Sequence, residues 1–268
     1  MTILTLRLLG APQALYQGQP LKFRSRKVLA LLIYLVVEGG QHERDKLTDL
    51  FWPETDQQRG RTALRNTLAR LRQSLAEAGE FILTEGSLVG FDFAQPLDLD
   101  VRAVDAVASA LSPATPLDAL QTAIEQLQGE FLEGFSLPDA PDFETWATGQ
   151  REWQHRRGET LFDAAVRRQI ELGRLAEAVD TATRWTRYAP LTETAYRRLI
   201  EAHALSGDRT AALQTYDTCR RLLADELGVS PATETTALAE RIKQDKIRRA
   251  PRQKAAPRPS PGEASPID

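Results

Sequence analysis

The sequence predicts a mainly α protein with a small β component. Two observations carry this. The first 95 or so residues read as strands, three helices and a hairpin, in that order. Residues 159–222 then repeat at an offset of 34 inside a stretch that is otherwise helical. With 268 residues, 42% hydrophobic and 26% charged, the chain can bury a core without disulfides or a structural metal.

The elements follow from spacing. Leu4, Leu6 and Leu8 alternate with Thr5 and Arg7, a period-2 strand pattern broken by Gly10-Ala-Pro12. Gln13–Tyr16 and Leu21–Phe23 flank Gln17-Gly-Gln-Pro20, which reads as a hairpin turn and gives an antiparallel sheet. Val28, Leu31, Leu32, Leu35 and Val36 share one face of a first helix that starts after Ser25 and stops at Gly39-Gly40. A short second helix spans 43–51. Trp52 is expected to plug the core in the loop that follows. The third helix runs from about Gln57, capped by Asp56, to Ala78, with Gly79 as its stop. Leu64, Leu68, Leu71 and Leu75 form its apolar stripe. Phe81–Leu83 and Leu88–Phe93 bracket Thr84-Glu-Gly-Ser87 as a second hairpin. This is the order of a winged helix-turn-helix with an extra N-terminal antiparallel sheet, residues 1–97.

Residues 98–249 are expected to be all-α and TPR-like. The offset of 34 pairs Glu159 with Glu193, Gly173 with Gly207, Ala178 with Ala212 and Arg187 with Arg221. The glycines suit the turn inside each helical hairpin, and the alanines allow close helix approach. Gly228 and Pro231 close the second unit, and a last helix spans about 232–249. Trp146, Trp153 and Trp185 read as packing residues. Residues 250–268 hold five prolines beside Arg252, Lys254 and Arg258, a composition expected to be disordered.

Charge is unevenly spread. Residues 1–76 carry a net +6, residues 77–242 a net −13 and residues 243–268 a net +4. A basic first quarter suits contact with a polyanion. The single cysteine, Cys219, suggests a reducing compartment. The longest apolar run, Val28–Val37, is too short to span a bilayer and no signal-peptide pattern is seen, so a soluble cytoplasmic protein with no membrane partner is expected.

The third helix concentrates the binding chemistry. Opposite its leucine stripe lie Arg59, Thr62, Asn66, Ala69, Arg70 and Gln73, with Arg65 at the border and Arg61 and Arg72 on the flanks. The face has donors and no acid. Arg can bridge guanine, Asn can bridge adenine, and small residues admit a thymine methyl. A solvated basic face is the plain alternative. Arg24, Arg26 and Lys27 cluster at the start of the first helix, where a phosphate would neutralise them, although an ordinary surface cluster reads the same way.

Catalytic signatures fail. His42, His155 and His203 are scattered and lack metal-ligand spacing. Gly129 and Gly134 have phosphate-loop spacing, but Phe135 stands where a Lys is needed. Asp139, Asp142 and Glu144 read as solvated loop charge. No enzyme activity, cofactor or metal is expected.

In order and spacing the chain resembles the bacterial transcriptional activator family of the antibiotic-regulatory (SARP) type, over about residues 3–245. The resemblance rests on Leu8-Leu-Gly10, Arg44-Asp-Lys-Leu47, Leu50-Phe-Trp-Pro53 and Ala63-Leu-Arg65 in the first part. In the second it rests on Gly129-Glu-Phe-Leu-Glu-Gly134, Pro190-Leu191, Gly207-Asp-Arg209 and Leu223-Ala-Asp-Glu-Leu-Gly-Val-Ser-Pro231. It implies a sequence-specific activator that binds double-stranded DNA at promoter repeats through the third helix. RNA polymerase is the implied partner, and the helical domain could mediate self-association. It makes Thr62, Arg65, Asn66 and Arg70 base-reading residues, and Arg24, Arg26, Lys27, Arg59 and Arg72 phosphate contacts. The wing departs from the family pattern, with Leu88-Val-Gly-Phe91 and no Lys or Arg between Phe81 and Phe93. The other class of reading is a TPR-like adaptor whose winged domain binds protein.

Overall fold

The computed structural model describes residues 3–76, 78 and 80–245. The strands are β1 (Leu4–Arg7), β2 (Gln13–Tyr16), β3 (Gln19–Pro20), β4 (Gln41–Glu43), β5 (Ile82–Glu85), β6 (Leu88–Phe91) and β7 (Leu97–Leu99). The first helices are α1 (Arg26–Glu38), α2 (Arg44–Phe51), α3 (Gln57–Leu75), α4 (Asp100–Ser109) and α5 (Leu117–Glu125). After them come α6 (Pro141–Glu171), α7 (Leu175–Tyr188), α8 (Glu193–Ser206), α9 (Arg209–Leu227) and α10 (Thr233–Lys243). The chain divides into two compact units, with the break between Ala165 and Val166.

In the first unit, β1 is the alternating strand, and its Leu4 and Leu6 are fully buried. Its sheet has the order β3-β2-β1-β7. The β2–β3 turn is tighter than expected. Gln17 and Gly18 both have positive φ, 51° and 77°, which makes a two-residue turn and places β3 at Gln19–Pro20 rather than Leu21–Phe23. Strand β7 pairs parallel to β1, with Leu4 opposite Leu97 and Leu6 opposite Leu99. No periodic pattern in the sequence marks this three-residue strand. Just after it, buried Asp100 accepts N–H bonds from Leu8 (2.7 Å), Leu9 (2.9 Å) and Val101 (2.8 Å), tying the sheet to α4.

The helix-turn-helix is α2 and α3. All four predicted leucines of the α3 stripe are buried, and Asp56 caps the helix by accepting from the Arg59 N–H at 3.0 Å. A Cβ added to Gly60 would stand 2.4 Å from the Thr48 side chain, so glycine sets how closely α3 approaches α2. Ala78 is described but lies beyond α3, which ends at Leu75, and the stop assigned to Gly79 lies outside the described residues. The wing sheet has three strands, β4-β6-β5, the first of them unforeseen. Its β5–β6 turn is Gly86-Ser87, and the Ser87 carbonyl accepts from the Arg44 N–H at 3.0 Å.

Segment 129–135 laces onto the N-terminal sheet. Leu132 N–H donates to the Leu8 carbonyl at 2.9 Å, and Gly10 N–H to the Glu130 carbonyl at 2.8 Å. Aromatic rings then join the winged helix to α6. Phe143 lies 5.4 Å from Phe51, and Trp146 lies 5.1 Å from Tyr34, ring centre to ring centre. Trp146 Nε1 donates to Glu38 Oε1 at 2.6 Å. The first compact unit thus extends beyond residue 97 into the helical stretch.

The second unit stacks hairpins. Gly173 and Gly207 take φ of 71° and 89° at the turns where the repeat placed them. Ala178 and Ala212, its paired alanines, are fully buried. The layers are local: Val166, Ala178, Ala182, Leu199 and Ala202 form one cluster, and Ile200, Ala212 and Ile242 another. Gly228 ends α9 in a left-handed cap. The expected last helix is α10, which ends at Lys243; the part placed at 246–249 and the Pro-rich tail lie outside the described residues.

Two of the tryptophans differ from the core role expected of them. Trp52 is only half-buried, because its indole forms the floor under the Lys27 ammonium, 5.1 Å away. Trp153 is 44% exposed, with the Arg157 guanidinium 4.5 Å from its ring. Trp185 is buried, 2% exposed.

Candidate nucleic-acid interface

Helix α3 displays its polar face because its leucines are all used inward. Arg59, Thr62, Arg65, Asn66, Arg70 and Arg72 are exposed. They are not equally available. Arg59 Nε lies 3.2 Å from Asp56, one turn back. Arg72 donates to Thr84 Oγ1 on β5 at 3.2 Å and so ties α3 to the wing. Thr62 donates its hydroxyl to the Gln58 carbonyl at 3.0 Å. Among the described residues, Arg65, Asn66 and Arg70 make no side-chain hydrogen bond or ion pair. Their donors face water.

Arg61 is held in a bidentate pair with Asp45 of α2, at 2.8 and 2.7 Å. The Arg61 guanidinium keeps the Asp45 carboxyl below the usual carboxylate range. This pair fixes α3 against α2 and withdraws one cation from the flank. No spacing pattern marks this pair, since the partners are 16 residues apart on different helices.

The basic cluster on α1 meets the other flank of α3. A cleft of about 510 Å³ is lined by Ser25, Arg26 and Lys27 on one side and by Asn66 and Arg70 on the other, with Asp139 at its edge. Arg26 is exposed and reaches the Ser136 carbonyl at 3.4 Å. Lys27 is half-buried, donates to the Phe51 carbonyl at 2.6 Å, and pairs with Asp139 at 2.9 Å. Arg24 is exposed. The acidic group of the 139–144 segment is therefore more than solvated charge. Asp139 engages Lys27, and Glu144 accepts the Leu137 N–H.

A family model described as the bacterial transcriptional activator domain matches residues 91–243. The chain belongs to this family. Regulatory protein AfsR of Streptomyces coelicolor is 33% identical over 246 residues, 88% of this chain and 24% of that protein. AfsR of Streptomyces griseus is 31% identical over 242 residues, again covering 24% of its length. Transcriptional regulatory protein EmbR of Mycobacterium tuberculosis is 27% identical over 244 residues, 62% of its length. The chain thus spans about a quarter of the length of the two AfsR proteins. A solved structure of Mycobacterium tuberculosis EmbR in complex with a low affinity phosphopeptide superposes with a TM-score of 0.68 at 24% identity, over 91% of this chain and 66% of that one. The fold, a winged helix followed by a helical domain, is shared with it. By name, the AfsR relatives are regulatory proteins and EmbR is a transcriptional regulatory protein.

Among the described residues no group of three His, Cys, Asp or Glu could hold a metal ion, and no helix is long and apolar enough to cross a membrane. Burial pushes the Cys219 thiol up to about 11, so it stays protonated at neutral pH.

Proposed function

We propose that this chain is a sequence-specific DNA-binding transcriptional activator. The observation that carries the reading is the exposed, acid-free face of α3, where Arg65, Asn66 and Arg70 keep their donors unengaged. Helix α3 enters the major groove of double-stranded DNA. Thr62, Arg65, Asn66 and Arg70 read base edges. Arg24, Arg26, Lys27, Arg59 and Arg72 contact phosphates. The wing, with no cation between Phe81 and Phe93, adds little affinity. The functional division falls near residue 97, with residues 98–249 contacting RNA polymerase or a second copy of the chain, in the cytoplasm. The protein carries out no catalysis.

Genomic DNA selection with purified protein tests this, followed by anisotropy titration of the enriched fragment. A repeated motif should emerge. Arg65→Ala or Asn66→Ala should cost about 1–3 kcal/mol, confined to one base position. No enrichment, or equal losses on every sequence, would contradict base reading by these residues.

A further inference from the structure

The cleft between α1 and α3 has an occupant of its own. The Lys27 ammonium is held from three sides: the Phe51 carbonyl at 2.6 Å, the Trp52 ring 5.1 Å away and Asp139 Oδ2 at 2.9 Å. Its side chain is only 17% exposed, whereas that of Asp139 is 71% exposed. Two of the three partners form a fixed floor. The third is a water-facing carboxylate on the segment before α6, open to solvent screening on its own side.

The position of the cleft gives this arrangement a use. A helix about 10–12 Å across fills a major groove about 12 Å wide, so a phosphate strand runs along each of its flanks. One flank of α3 carries Arg61, Arg65 and Arg72, toward α2 and the wing. The other carries Asn66 and Arg70 and opens on the cleft with Arg26 and Lys27. Among the described residues, Arg26 and Arg70 have no ion pair, and Lys27 alone of these three cations is held by an acid.

We propose that this cleft is a seat for a DNA backbone phosphate, and that Asp139 occupies the ammonium of Lys27 in the phosphate's place until DNA displaces it. The inference rests on the reading that α3 enters the major groove. The Asp139 carboxylate sets a threshold: nucleic acid must outcompete it in every complex formed.

The test is anisotropy titration of the full chain with a fluorescent mixed-sequence duplex over a range of salt. Asp139→Asn should bind about 2–5-fold more tightly than wild type at low salt. Asp142→Asn removes the same charge from the neighbouring, exposed position and should change binding less. Lys27→Met keeps the stem over Trp52. It should weaken binding and flatten the salt dependence by about one log unit per log unit. In that background Asp139→Asn should have no further effect. Equal gains from Asp139→Asn and Asp142→Asn would reduce the effect to general charge and overturn the proposal. So would a loss on Asp139→Asn, which would make Asp139 a support for Lys27. Wild type that binds no duplex overturns the major-groove reading and the proposal with it. Wild type that binds while Asp139→Asn is unchanged overturns the proposal alone.

Discussion

Arg65 and Arg70 of α3 and four arginines of the helical repeats are one side chain in two conditions. In the repeats, Arg168, Arg174, Arg198 and Arg220 each lie within 4.0 Å of an acid one turn away, namely Glu171, Glu177, Glu201 and Asp217. On α3, Arg65 and Arg70 have no such neighbour among the described residues. Exposed i,i+3 pairs add little stability, but they cancel charge where it stands. Cations left uncancelled repel one another and gain only when a polyanion arrives. The α3 face presents charge at Arg65 and Arg70, and the repeats neutralise it at these four positions.

The cores differ in the same direction. The repeats stack neighbour on neighbour, while the first unit is closed by contacts far apart in sequence, such as Phe51 with Phe143 and β1 with β7. Truncation breaks this comparison most severely. A fragment ending at residue 97 loses Phe131, Phe143 and Trp146 and should not give a cooperative thermal transition by circular dichroism. A fragment ending at Glu171 should give one. A well-folded 1–97 fragment would show the two parts of the first unit to be independent.

Asp100 comes next. Asp100→Ala leaves three buried N–H groups unpaired and should cost roughly 3 kcal/mol or more in urea unfolding. Burial holds this carboxyl above its usual range, against the pull of the three N–H donors and Arg7. The folded chain therefore binds this proton more tightly than the unfolded chain. Its contribution is fully present below a pH of about 4 and is lost as pH rises through the raised value. Wild type should lose stability relative to Asp100→Asn over that rise. A gap that widens in favour of wild type would contradict it.

Gly60→Ala should cost about 1–3 kcal/mol, since Thr48 must move to admit the methyl. It should also weaken DNA binding by shifting α3, which a stability-matched core variant would not do. Gly173→Ala, in the second unit, meets no neighbour within 4 Å and pays only for its positive φ, about 1–2 kcal/mol. DNA binding should be unchanged. A Gly173→Ala variant with impaired binding would blur the distinction between presenting and neutralising regions.

What the sequence revealed follows the range of the interactions. Leucine spacing placed α3, and the 34-residue offset placed Gly173 and Gly207, because helices and their turns are local. Strands β4 and β7 are not legible in it. Each is three residues long, too short for a periodic signal, and β7 finds its partner β1 some 90 residues away. The same limit applies to the interface. Exposure of Arg65, Asn66 and Arg70 was legible from the opposite stripe. The capture of Arg61 by Asp45 and of Lys27 by Asp139 was not, since each joins elements that only the tertiary fold brings together.

The most direct test is the salt dependence of binding to the selected operator fragment for two paired variants. Arg65→Ala with Arg70→Ala removes two uncancelled charges from α3. Arg174→Ala with Arg198→Ala removes two cancelled ones from the repeats. The account predicts a large loss of affinity for the first pair, with a shallower salt slope if either arginine also touches phosphate, and wild-type behaviour for the second. Equal losses from the two pairs would contradict it.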